Sequence, residues 1–214
     1  MNIIKKYLPL TEYYNTETEK HQIVLHHTVA STFESTFNWW QQDGIHVATA
    51  YIIDKDGTVY EMFNPDYWSY HLGKGTTTLN NKSAIGIELV NEGPIWKKDN
   101  QYFWCDGTVP YKGEVHDSNT WWRGYRYWAK YTKEQTSSLV ELLKYLTERY
   151  QINTKIVDTY KYDKELLYKN GIISHHNVRT DKTDVSYAMD LKKLNKILNS
   201  GLLNKIKEKI WEML

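Results

Sequence analysis

Apolar positions along this chain fall into short runs, and their spacing alternates between a period of two and one near 3.6. HQIVLHHT (21–28) is a compact aliphatic and β-branched run that predicts a buried strand. ATAYIIDKDGTVYEM (48–62) divides at Lys55-Asp56-Gly57 and predicts two strands joined by a tight turn. SAIGIELVN (83–91) predicts another strand, and IISHH (172–176), introduced by Gly171, predicts a last one. Ser31 with Glu34 has the spacing of a capping box and predicts a helix over about 32–42, through Trp39 and Trp40. Thr132 with Gln135 opens a second helix to about Tyr150, whose apolar face is Leu139, Leu142, Leu143 and Leu146. Helical spacing returns over 188–198 and, after Gly201, over 202–213. The first twenty residues are polar and are expected to be irregular. Residues 92–131 keep no sustained period, so they are expected to form a long insertion.

Strands separated by helices predict a single α/β domain with a central mixed β-sheet flanked by helices. Its expected divisions are an N-terminal segment (1–20), a main domain (21–198, with the insertion at about 92–131) and a C-terminal amphipathic helix (199–214). Composition narrows the function. A formal net charge of +1 gives no bias towards nucleic acid, and one cysteine, Cys105, excludes an intrachain disulfide framework. No run reaches the ~18–20 apolar residues of a membrane span, and the N-terminus lacks a secretory apolar core. The expected location is therefore the cytoplasm of the producing cell. With 18 Tyr and 9 Trp the chain has ample flat surface for stacking on sugars, though cores and loop anchors use the same residues.

Two histidine pairs, His26-His27 and His175-His176, each close an apolar run. Neighbours on a strand face opposite ways, so at most one of each pair can enter a shared site. An acidic loop, RTDKTDVSYAMDL (179–191), follows the second pair, with Asp184 nine residues after His175 and Lys182 two before Asp184. Hydrolytic zinc takes three N/O protein ligands and keeps one open position, which two histidines and a loop carboxylate can supply.

IVLHHT, AYIIDKDGTVYEM, SAIGIELVN and SHHNVRTDKTDVSYAMDL, in that order, resemble the zinc N-acetylmuramoyl-L-alanine amidase family (type 2). That family spans phage lysozyme-type amidases, bacterial cell-wall recycling amidases and peptidoglycan recognition proteins. The resemblance covers about residues 20–198, interrupted by the insertion. It implies one zinc ion per chain on His26, His175 and Asp184, with Lys182 as a catalytic lysine and Glu88 as a general base. Glu88 also interrupts Ile85, Ile87 and Leu89, where an unpartnered carboxylate is costly, so a core salt bridge is its other reading. His71, in WSYHLG, and Thr49, where some phage relatives carry a tyrosine, are expected on the substrate cleft; an ordinary loop histidine remains open for His71. Ala50 stands where relatives have histidine. Val185 replaces the usual proline after the third ligand, which should loosen that loop.

The resemblance implies hydrolysis of the amide joining N-acetylmuramic acid to L-alanine in peptidoglycan, expected as a phage or prophage endolysin reaching the wall after release. Alternatives are a cytoplasmic recycling amidase, a non-catalytic peptidoglycan-binding module and a phage-particle protein. A zinc peptidase is weaker, since no H-E-x-x-H occurs. The insertion's eleven aromatics could wall a glycan groove or anchor a long loop, the latter favoured. The C-terminal stripe Leu203, Ile206, Ile210 and Leu214 could pack on the domain or bring the enzyme to an envelope or partner.

Overall fold

The computed structural model describes residues 2–200 except Asp43 and Ile45; the expected C-terminal helix lies outside them. Six strands form the central sheet: β1 (Ile3–Lys5), β2 (Gln22–His27), β3 (Tyr51–Ile53), β4 (Val59–Glu61), β5 (Ala84–Leu89) and β10 (Gly171–Ser174). Their order is β1-β4-β3-β5-β2-β10, and only β3–β4 pairs antiparallel within it. The sheet is mixed and flanked by helices, as the sequence predicts. The parallel run β3-β5-β2-β10 matters most, because it brings four C-terminal strand ends to one edge. Ligand sites of open α/β sheets form at such edges.

Side-chain alternation divides the strands between two layers. Ile23 and Leu25 of β2, Ile85, Ile87 and Leu89 of β5 and Ile172 of β10 enter the main core. Val24, Ala84 and Ile173 join Leu72 and Val178 in a smaller cluster. The main core is covered by α3 (Lys133–Arg149), whose Leu139, Leu142, Leu143 and Leu146 are fully buried, and by a helix over 191–200 through Leu191, Leu194 and Leu198. The capping box of α3 forms as its spacing predicts. Its Gln135 also donates to the carbonyls of Ile53 and Val90, and Thr132 Oγ1 donates to the Lys55 carbonyl at 2.6 Å. The helix is thus tied to the hairpin turn and the sheet together.

Several local expectations need correction. The first twenty residues are not irregular throughout: β1 pairs with β4 at the sheet edge, and buried Lys20 donates to the carbonyls of Tyr67 and Lys82. Two isoleucines suffice for an edge strand. Helix α1 (Phe33–Trp40) is capped by Thr32, which accepts from the Ser35 N–H, so Ser31 with Glu34 is not its box. A short helix, α2 (Thr78–Ser83), precedes β5 with its own capping box at Thr77 and Asn80. The last strand stops at Ser174, and His175 opens a single helical turn, α4 (His175–Val178).

The insertion is a second sheet rather than a long loop. Strands β6 (Pro94–Lys98), β7 (Gln101–Trp104), β8 (Val115–Trp122) and β9 (Tyr125–Ala129) pair antiparallel in the order β7-β6-β9-β8. Two of its turns are two-residue links, Asp99-Asn100 and Arg123-Gly124, with positive φ at both positions of each. That is the geometry whose twist matches paired strands. Trp128 is fully buried, and Trp122 packs on His176, Tyr160 and Tyr187, so these two rings anchor the segment, whereas Trp96 and Trp121 are exposed.

Removing the Thr132 hydroxyl should cost about 1–2 kcal/mol, because a helix cap and the bond to Lys55 disappear together. Thr32→Ala, losing a cap alone, should cost less, about 0.5–1 kcal/mol. Urea unfolding of the two variants checks this, and equal costs would mean the Lys55 tie contributes nothing.

Candidate metal centre and active-site cleft

His26 lies near the C-terminal end of β2, on the face opposite Ile23, Leu25 and His27. Its Cα partner across the sheet is Glu88 of β5. His175 begins α4, directly after the neighbouring strand β10. Asp184 returns on the loop that follows, its carbonyl accepting from the His176 N–H at 2.8 Å. Three buried atoms converge from these elements. His26 Nδ1 and His175 Nδ1 are 3.0 Å apart, and Asp184 Oδ2 lies 3.1 Å from the first and 3.0 Å from the second.

The donor set suits a small divalent cation. Two imidazole nitrogens and one carboxylate oxygen are borderline ligands, and tetrahedral bonds of ~2.0–2.2 Å separate neighbouring ligand atoms by roughly 3.3 Å. His175 Nε2 is 3.0 Å from the Leu72 carbonyl, a bond that requires its proton and leaves Nδ1 with a free lone pair. Burial, reinforced by neighbouring His175, pushes the His26 imidazole down to about 4 and so keeps it neutral. Burial alone would raise the Asp184 carboxyl, but the facing His175 and His26 hold it well below the usual range. A neutral His26 imidazole and an ionised Asp184 carboxylate are the forms in which those two groups bind a metal.

The adjacent histidines are sorted as predicted on β2 but by a different device on the second pair. His27 turns away, and its Nδ1 meets the Tyr131 hydroxyl at 3.0 Å. His176 leaves the cluster because a helical turn rotates it, not because a strand alternates. It is fully buried, with Nδ1 3.1 Å from the Asp184 carbonyl and its ring stacked on Tyr160. Val185 is also fully buried, and the Asp184 carbonyl beside it is held by His176, so the loop is not loose at this point.

A cleft of about 360 Å³ opens over the three groups, and Glu88, Lys182, His71 and Thr49 all line it. Glu88 forms no ion pair among the described residues, and its Oε2 is shut from solvent without a hydrogen-bond partner. Burial, together with the charge of Asp184, raises its carboxyl well above the ordinary glutamate range; Lys182 acts in the opposite sense. Thr49 spends its hydroxyl on the Tyr51 carbonyl. His71 Nδ1 is 3.0 Å from His26 Nε2, so it backs that imidazole as well as lining the cleft. Gly86 makes this approach possible: a Cβ there would lie 2.7 Å from Thr49 Cγ2 and 3.1 Å from His71 Nδ1.

Sequence reasoning missed Asn81. Its buried Oδ1 accepts from the N–H groups of His71 and Leu72, at 2.9 and 3.0 Å. One amide thus fixes the group behind each histidine: the His71 ring behind His26 and the Leu72 carbonyl behind His175. No local signal marks it, since its partners are backbone atoms ten and nine residues away.

Comparisons with known proteins agree with this architecture. The sequence profile of the family described as N-acetylmuramoyl-L-alanine amidase (Amidase_2) matches residues 17–186. No curated protein matches the chain by sequence. Among solved structures, the Staphylococcus aureus hydrolase AmiA in complex with its ligand superposes with a TM-score of 0.57 at 14% identity, covering 97% of this chain and 86% of that one. A mutant endolysin from Bacillus subtilis gives 0.55 at 16%, covering 92% and 97%. The N-acetylmuramoyl-L-alanine amidase LysC from Clostridium intestinale URNW gives 0.53 at 16%, covering 93% and 98%. At these identities the likeness establishes a shared fold, whereas the profile spans most of the sequence. The chain belongs to the N-acetylmuramoyl-L-alanine amidase family.

Proposed function

We propose that this chain is a zinc-dependent amidase of bacterial peptidoglycan, acting as an endolysin, with His26, His175 and Asp184 holding the ion. The observation that carries this reading is the convergence of those three groups beneath a cleft that Glu88 and Lys182 also line. Zinc bound there would supply Lewis acidity, making water more acidic and a carbonyl more electrophilic. Glu88, with a free buried oxygen, removes a proton from the attacking water. The Lys182 ammonium offsets the charge that gathers on the amide oxygen, and Glu88 hands its proton to the departing alanine nitrogen. A raised carboxyl pKa suits both halves of that cycle. Thr49 and His71 shape the cleft wall. The lytic role extends to this chain what the Bacillus subtilis structure's description says of that protein. It accords with accumulation in the producing cell's cytoplasm before release.

Purified sacculi incubated with the protein should yield free N-terminal alanine on stem peptides, identified by mass spectrometry. Chelation should stop the release and added zinc restore it; undiminished release from metal-free protein would refute the zinc assignment. Alanine at His26 or His175 should remove most bound zinc, whereas His27→Ala and His176→Ala should retain it, as read by elemental analysis. Loss at His27 with retention at His26 would place the ligands on the wrong strand face.

Glu88→Gln should keep its zinc and lose ~10²–10⁴-fold in turnover, since it deletes a base and not a ligand. The base works only when ionised, so kcat/KM should rise with pH through a pKa above the ordinary glutamate range. Lys182 lowers that pKa, so Lys182→Met should move the acid limb to higher pH as well as reduce kcat. An acid limb unmoved by Lys182→Met would detach the lysine from Glu88.

A further inference from the structure

Helix α4 is a single turn, and so short a helix leaves its carbonyls without partners of its own. It nevertheless carries His175 at its first position and leads into the loop bearing Asp184. Rotating it would separate the two ligand atoms. Asn177, fully buried inside the turn, holds one side: its Oδ1 accepts from the Ser174 N–H, and its Nδ2 donates to the carbonyls of Thr159 and Lys161. The other side is held by the second sheet. Arg123, at the tip of the β8–β9 hairpin, donates from Nη1 to the Arg179 carbonyl at 2.6 Å and from Nη2 to the His176 carbonyl at 2.9 Å.

This guanidinium caps the C-terminal end of α4, where a cation also meets the negative end of the helix. It lies 4.9 Å over the Trp122 ring, which meets His176 edge-on. The contact continues inward, because the Arg179 side chain donates to the same Leu72 carbonyl that orients His175. Arg123 achieves this from a left-handed backbone, φ 51°, a conformation that is strained for a residue other than glycine. Two charge-assisted hydrogen bonds offset that strain.

We infer that Arg123 is a positioning residue: its guanidinium fixes the turn between His175 and Asp184, so the aromatic second sheet sets the metal affinity and turnover of a cleft that Arg123 does not line. The inference rests on His26, His175 and Asp184 being the zinc ligands.

Arg123→Gly separates this role from a merely structural one, because glycine suits the turn better than arginine does and removes the fork together with its stacking on Trp122. Arg123→Lys keeps the charge but offers one ammonium for two carbonyls. Zinc affinity is measured by competition with a chromophoric chelator, folding by melting of the metal-free protein, and kcat and KM on soluble peptidoglycan fragments. Arg123→Gly should bind zinc about 10–100-fold more weakly, the usual effect of losing a group that orients ligands. Its kcat should fall with KM near wild type and metal-free melting little changed, and Arg123→Lys should lie between. Arg126→Ala, which removes an ion pair with Asp117 in the same hairpin, should leave affinity and kcat unchanged. Wild-type zinc affinity and kcat in Arg123→Gly, or equal losses in Arg126→Ala, would overturn the inference. If Arg123→Gly does not fold, Arg123→Lys decides by the same affinity measurement. Wild-type protein that binds no zinc would overturn the ligand assignment itself, a result distinct from normal binding by every variant.

Discussion

Two imidazole lone pairs and a carboxylate oxygen within 3.1 Å of one another, in a buried place, form an arrangement that favours a cation and resists its absence. The surrounding polar contacts keep the three atoms from relaxing apart. His26 is backed by His71, His175 by the Leu72 carbonyl, and both backings hang on the Asn81 amide. Asp184 is held through its own carbonyl by His176. The hydrophobic layer beneath serves the same end: β2 and β10, fully buried, and β5, buried except at Glu88, cannot shift register without exposing a core face.

How much of this was legible in the sequence depends on whether the information is local. The strands of 21–28, 48–62 and 83–91 and the helix after Thr132 announce themselves by period, turn and cap within windows of ten to twenty residues. The ligand candidates were legible because His26 and His175 terminate such runs and Asp184 follows at short range. Asn81 and the carbonyls that orient His175 and His176 were not legible, because backbone carbonyls and N–H groups carry no side-chain signature. The second sheet was missed for a different reason. Its strands face solvent with mixed polar and aromatic residues, so alternation is weak. Asp99-Asn100 and Arg123-Gly124 were the available signals.

The histidine pairs show how one rule can succeed and fail within one protein. Alternation does send His26 and His27 to opposite faces, because both belong to β2. The same rule has no hold on His175-His176, where the chain has already left the strand. The outcome is similar, one histidine inward and one aside, but it follows from helical rotation. Asn177, whose side chain accepts from the Ser174 N–H, marks the change of conformation.

The second sheet leaves and rejoins the domain at adjoining points, since Ala129 donates to the Gly93 carbonyl and Pro94 faces Trp128. Its β6–β7 hairpin therefore projects from a narrow neck, while the β8–β9 tip rests on α4 through Trp122 and Arg123. Residues can be gained or lost in the outer turns around Asp99 or Gly107 without altering the distance the main chain must span between β5 and α3. Such a module is free to diverge in length and surface while its root stays constant, which makes it a natural graft point: a foreign hairpin or binding loop spliced at its outer turns would inherit a fixed orientation relative to the cleft.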